Sequence, residues 1–167
     1  MDLLRELHPQ ALRIAALLRA RGEKLAVADG ATGGLIAASL LTVPGALDFL
    51  VGGGIIYSLR ARDVLLALPR AAYRQMRGAS ADYALLQARA IAANFGTAWG
   101  LAESGSAGGS AHPSGAPAGR SVAALAGPGV AETRLIETGS DDRIANMGAF
   151  TRNALDLLAE VLARQAS

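Results

Sequence analysis

Cysteine is absent from all 167 residues, which removes disulfides, thiolate metal sites and thiol nucleophiles from consideration. Aromatic residues make up only 4%. The core must therefore be aliphatic and alanine-rich, and the stacking platforms that hold single-stranded nucleic acid are poorly supplied. Lysine occurs once, at Lys24, and the net charge is only +2. No basic run follows a phosphate backbone, so a nucleic-acid partner is not expected. No apolar segment reaches the length of a membrane span, and the charged start Met1–Glu6 lacks the core of a signal peptide. The expected address is cytoplasmic, with no membrane partner.

What is present suits one α/β domain over residues 1–167. Apolar residues are 51% and charged residues 18%, enough to bury a single core. A helical pattern runs over 3–21, bent or divided at Pro9, with Arg21-Gly22 closing it. Apolar runs near 25–28, 52–57, 98–103 and 120–126 read as strands, and 132–138, which alternates charged and apolar residues, reads as an edge or half-exposed strand. Gly127-Pro128-Gly129 signals a hairpin between the last two. Helices are expected from about Gly33 to Pro44, from Arg60 over Val64-Leu65-Leu66, from an N-cap at Ser80 to Phe95, and from Ser140 to about Ala163. The strands should form one sheet covered on both faces. Glycines at 52–54 weaken a strand and mark close approach of backbone or ligand. The stretch 104–119 is the only low-complexity segment, and a loop this long is functional or disordered. His8 and His112 are lone imidazoles without partner ligands, so no metal site is expected. His8 suits a surface or capping role, and His112 is placed to meet a ligand.

The chain is organised around Val27-Ala28-Asp29-Gly30-Ala31-Thr32-Gly33-Gly34. A buried strand ends on an acid, passes a glycine-rich turn and enters a helix, which puts backbone N–H groups at the carboxyl end of the sheet where anions collect. Thr32 suits a helix cap better than a nucleophile. Asp29 and Glu103 fall at strand ends and could share a crevice, although acids there more often cap helices.

The motif resembles the Ala-Glu-Ser-Cys-Thr-Gly-Gly segment of the CinA C-terminal domain family. Ala28, Thr32, Gly33 and Gly34 match, Asp29 stands for the acid, and Gly30 stands where the family has its nucleophilic serine. Tyr57 and Ser58 match the family's Tyr-Ser/Thr-Asn-x-x-Lys, with Leu59 for the asparagine and Arg62 for the lysine. Gly105, Ala107, Gly108, Pro117 and Gly119 match a later glycine-rich segment, where Ala116 replaces a lysine. Asp142 and Arg143 match a Gly-Asp-Arg motif whose second arginine falls on Asn146 or Met147.

The resemblance implies a three-layer α/β/α sandwich with a mixed sheet and a homo-oligomer. For active members it implies amidase chemistry on nicotinamide mononucleotide, using a serine with a lysine nearby. Here the degenerate positions Gly30 and Arg62 argue against that chemistry. A hydroxyl nucleophile needs a base, glycine has no side chain, and a guanidinium does not give up its proton. Thr32 and Tyr57 remain as substitutes to consider. The expected ligand contacts are Asp29, Gly30, Ala31, Thr32, Gly33, Gly34, Tyr57, Ser58, Arg62, Ser104, Gly105 and Ser106, around a small phosphorylated nucleotide. No cofactor is expected. The alternative is an active amidohydrolase with a relocated nucleophile.

Overall fold

Strand β1 (Leu25–Asp29) is buried at every position, and the sheet is built outward from it. The computed structural model describes residues 2–166. Helix α1 (Leu3–Arg21) precedes β1, and α2 (Leu35–Leu41), β2 (Leu50–Ile55) and α3 (Leu59–Leu66) follow it. Then come α4 (Ala81–Phe95), β3 (Trp99–Ser106), β4 (Arg120–Gly127), β5 (Val130–Glu137) and α5 (Arg143–Ala166). The five strands make one sheet in the order β2-β1-β3-β4-β5. β1 is parallel to both its neighbours, while the β3–β4 and β4–β5 pairs are antiparallel. The sheet is mixed, as expected.

Alternation along the strands divides the core in two. Leu25 and Val27, with Trp99, Leu101 and Leu125, face α1, α2 and α5 and join a cluster that includes Ile14, Leu18, Phe49 and Leu158. Ala26 and Ala28, with Ala102, Val122 and Ala124, face the other way onto Leu66, Ala84, Ala88 and Ile91. Small side chains on this second face let α4 approach the sheet closely. A Cβ on Gly100 would lie 2.0 Å from the Ala88 carbonyl oxygen. Helices thus cover both faces, giving the α/β/α arrangement.

Differences from the sequence reading have local causes. Pro9 stays inside a single continuous α1. β2 begins at Leu50 rather than Gly52 because Leu50 pairs with Leu25 across a register shift in β1. Gly53 is required by sheet packing, since a Cβ there would come within 1.9 Å of the Val27 carbonyl oxygen. Ser80 caps α4 through a bond from the Tyr83 N–H. His8 tethers α1 to the end of α2 through Thr42, at 2.9 Å. Among the described residues, no helix is long and apolar enough to cross a membrane.

Candidate functional site

A cavity of about 670 Å³ opens at the carboxyl ends of β1, β2 and β3. Gly30 and Ala31 after β1, Ile56 to Leu59 after β2, and Ser104 to Gly108 at the end of β3 form its base and one wall. Arg62 from α3, Tyr83 from α4, Arg143 from α5 and the loop residues Ser110 to Ser114 close the rest. Parallel strands ending side by side make such a crevice, because their connections leave on opposite sides.

Of the residues expected to touch a ligand, Gly30, Ala31, Tyr57, Ser58, Arg62, Ser104, Gly105 and Ser106 line this cavity. Asp29, Thr32, Gly33 and Gly34 do not. Asp29 is folded back onto the start of α2, accepting from the Thr32 hydroxyl (2.6 Å) and from the N–H groups of Ile36 (3.1 Å) and Ala37 (3.2 Å). The helix donors that the sequence suggested for an anion are therefore occupied by the chain's own carboxylate. Thr32 is fully buried and its hydroxyl proton is committed to Asp29, so it is neither a nucleophile nor the cap itself. Gly33 (φ 65°) and Gly34 (φ 97°) hold left-handed backbone conformations, so glycine there serves the turn into α2.

Glu103 lies beneath the cavity floor, fully buried. It accepts from the Thr32 N–H (3.0 Å) and the Ser121 hydroxyl (2.6 Å). Burial, with the nearby Asp29 charge adding to it, pushes its carboxyl up to about 7 despite these bonds. Burial also raises Asp29 against the hydrogen bonds it accepts. The two carboxylates are linked through Thr32, yet neither reaches the cavity. The floor above Glu103 consists of two glycines. A Cβ on Gly30 would sit 2.2 Å from the Glu103 carbonyl oxygen, and one on Gly105 would sit 2.5 Å from its carboxylate. The serine position of the family motif is thus filled from behind by β3 backbone.

Arg62 is only 8% exposed. Its guanidinium carbon lies 3.5 Å from the centre of the Tyr73 ring and 5.8 Å from that of Tyr83. One Nη donates to the Tyr83 hydroxyl at 3.3 Å, and Nε lies 3.8 Å from Asp63. Stacking of this kind suits arginine's planar cation, which supplies charge but no base. Tyr57 is exposed, and its hydroxyl accepts from Arg143 at 3.2 Å. Arg143 also donates to the Gly108 carbonyl at 2.7 Å, leaving further N–H donors on the cavity side.

The serines have defined duties. Ser58 caps α3, accepting from the Ala61 N–H at 3.0 Å. Ser104 accepts from the Ala79 N–H at 3.0 Å, and Arg120 donates to the Ala79 carbonyl, also at 3.0 Å. Together they hold Ala79 at φ 54°, a conformation rare for alanine, and so fix the segment that carries Met76 and Gly78 to the wall. The long loop is tied down by Asn146, whose amide donates to the carbonyls of Ala107 and Ser140, each at 2.8 Å, while its oxygen accepts from Thr138. Asp141 adds a bond from the Gly109 N–H at 2.7 Å.

Arg143 is legible in the sequence only as a motif match, without a sign that it borders the site. Met76, Gly78, Tyr83 and Ser114 carried no signal there. No group of three or more metal-binding side chains is gathered among the described residues.

The family model for the CinA C-terminal domain matches residues 8–162. A CinA-like protein from Myxococcus xanthus is 33% identical over 147 residues, covering 87% of this chain and 34% of its own length. One from Anaeromyxobacter dehalogenans is 34% identical over 146 residues, covering 87% and 35%. The chain thus spans about a third of the length of these curated relatives. Among solved structures, a CinA superfamily protein from Klebsiella pneumoniae superposes with a TM-score of 0.86 at 28% identity, over 95% of this chain and 98% of that one. A competence/damage inducible protein from Agrobacterium tumefaciens has the same fold, with a TM-score of 0.84 at 24% identity over 94% and 95%.

Proposed function

The chain belongs to the CinA C-terminal domain family, and from that premise we propose that it binds a small phosphorylated nucleotide of the nicotinamide mononucleotide kind without the family's serine–lysine amidase chemistry. The observation that carries this reading is the contact at Gly30. A side chain there meets the Glu103 carbonyl oxygen at 2.2 Å, so the position is closed to a nucleophile by backbone. At Arg62 the expected base is a permanent cation stacked on Tyr73.

Binding is supported by what remains. A cavity of about 670 Å³ is within the usual range for small-molecule sites, roughly 300–1,000 Å³. Two cations, Arg62 and Arg143, border it, and Tyr57 offers an aromatic face at its mouth. Guanidinium groups with spare donors suit a phosphate.

Titration calorimetry with nicotinamide mononucleotide and with inorganic phosphate tests the binding, and an ammonia assay tests the chemistry. The nucleotide is expected to bind more tightly than phosphate, and Arg143→Ala to weaken it by about tenfold or more, the loss of one charge-assisted hydrogen bond. No ammonia should be released. Steady ammonia release by the wild-type protein would overturn the reading of lost amidase chemistry, and absence of nucleotide binding by folded protein would overturn the binding.

A further inference from the structure

Among the described residues, two histidine–hydroxyl pairs are present, and they differ in polarity. At His8 the Thr42 hydroxyl already donates to the Ser39 carbonyl (2.6 Å), so the imidazole is the donor to Thr42. That pair is a tether. At His112 the Ser114 backbone N–H lies 3.1 Å from Nδ1, and a backbone N–H only donates. Nδ1 is therefore the unprotonated nitrogen, and the Ser114 hydroxyl, 2.7 Å from the same atom, also points its proton at that lone pair. This is the arrangement by which a histidine activates a serine.

We propose that Ser114 and His112 form a nucleophile–base pair that transfers acyl groups from small esters entering the cavity. Both residues line it, and neither is held at the Gly30 position that the fold has closed. The turn is already closed by the Gly115 N–H donating to the His112 carbonyl at 2.9 Å, so the aligned hydroxyl is an addition to it. The imidazole lies against Gly78, where a Cβ would come within 2.8 Å of Cε1, so the missing side chain makes room for the ring. Partial burial holds His112 below the usual histidine range, keeping it neutral as a base near pH 7.

In the step, Ser114 Oγ bonds to the ester carbonyl carbon while its proton passes to His112 Nδ1, whose lone pair the Ser114 N–H releases as it does so. The tetrahedral adduct then collapses, the C–O bond breaks, and the leaving alkoxide takes that proton and departs as an alcohol. Water attacks the acyl-serine, giving a proton to His112, and collapse returns it to Ser114 as the free acid leaves. Among the described residues no carboxylate contacts Nε2, and a histidine without one is a weaker catalyst. Esters with good leaving groups are therefore the substrate class, rather than carboxamides. The inference goes beyond nucleotide binding and does not depend on it.

The test is a reaction with 4-nitrophenyl acetate, followed by peptide mass mapping. A burst of 4-nitrophenolate approaching one per chain is expected, with an acetyl group on Ser114. Ser114→Ala should abolish the burst. His112→Asn keeps an acceptor for the Ser114 N–H without a base, and should slow it by roughly 100-fold or more. The wild-type rate should rise through an inflection below the usual histidine value and then level off. A burst that survives Ser114→Ala, acetylation elsewhere, a rate that climbs with hydroxide without a plateau, or no rate above buffer in protein shown to be folded by circular dichroism would each overturn the proposal. Calorimetry with nicotinamide mononucleotide on the wild-type protein, run beside the burst assay, separates this result from the binding reading, since either measurement can fail while the other succeeds.

Discussion

At Gly30 the constraint is contact, not backbone freedom, because its φ lies outside the left-handed region while a Cβ would meet the Glu103 carbonyl oxygen at 2.2 Å. Gly30→Ser is therefore expected to destabilise the fold by about 1–3 kcal/mol, the usual cost of overpacking, read as a lower midpoint in urea. Neither it nor the double variant with Arg62→Lys should release ammonia from nicotinamide mononucleotide. Beneath it, Glu103 makes a second prediction. Its carboxyl is raised to about 7, so between the ordinary glutamate value and pH 7 the folded protein holds a proton that the unfolded chain gives up. Stability must then fall as pH rises through that window, by something of the order of 3 kcal/mol. Glu103→Gln keeps an oxygen for the Thr32 N–H, and the Ser121 hydroxyl can turn to accept. The variant should match wild type at pH 4, exceed it at pH 8, and flatten the slope of denaturation midpoint against pH. The sequence identified the missing serine and lysine at Gly30 and Arg62. It carried no trace of the Glu103 backbone behind Gly30, which comes from a segment far away in the chain, or of Tyr73 over Arg62, which the irregular segment after α3 folds back to reach.

At the scale of elements, four strands were legible as short apolar runs, and β5 as an alternation of charged and apolar residues after a Gly-Pro-Gly turn. The capping residues Ser58 and Ser80 were legible in part: Ser80 was read as a cap, whereas Ser58 was read only as a family match. The helix at the central motif misled, since a strand–turn–helix looks the same whether its N–H groups are open or taken. The 107–119 segment gave no periodicity, so its order had no signature beyond composition. That order rests on α5 through Asn146. Asn146→Ala would leave the Ala107 carbonyl with a lost partner, at a cost of about 1–3 kcal/mol for a buried group. Faster amide exchange across 107–115, with α1 and the sheet unchanged, is the expected readout by mass spectrometry. The same variant should also weaken nucleotide binding, because the loop forms one wall of the cavity.

For the molecule as a whole, several large apolar side chains are strongly exposed, Leu41 and Leu47 after β1 among them. Tyr57, Leu59, Val64 and Ile144 are all strongly exposed, Ile144 at 83%, and Tyr57 and Leu59 border the cavity mouth. Copies of the chain are expected to associate, as the family resemblance also implies, and Ile144→Glu should shift the assembly toward monomer. Light scattering at micromolar concentration checks this, with a wild-type monomer as the contrary result. The order of elements pointed to one sheet covered on both faces, whereas its mixed character was legible only through the family resemblance.

The Asp29 carboxylate seated on the first turn of α2 amounts to a ligand that never leaves. Because it is attached only seven and eight residues from the amide donors it serves, it competes at an effective concentration of millimolar or above. A free phosphate arriving at that helix would have to displace it and leave a carboxylate buried without partners. Anions in solution should therefore pass over the first turn of α2 and be drawn to the arginines instead. In nuclear magnetic resonance titrations with phosphate, the Ile36 and Ala37 amides should stay still while the side-chain signals of Arg143 move.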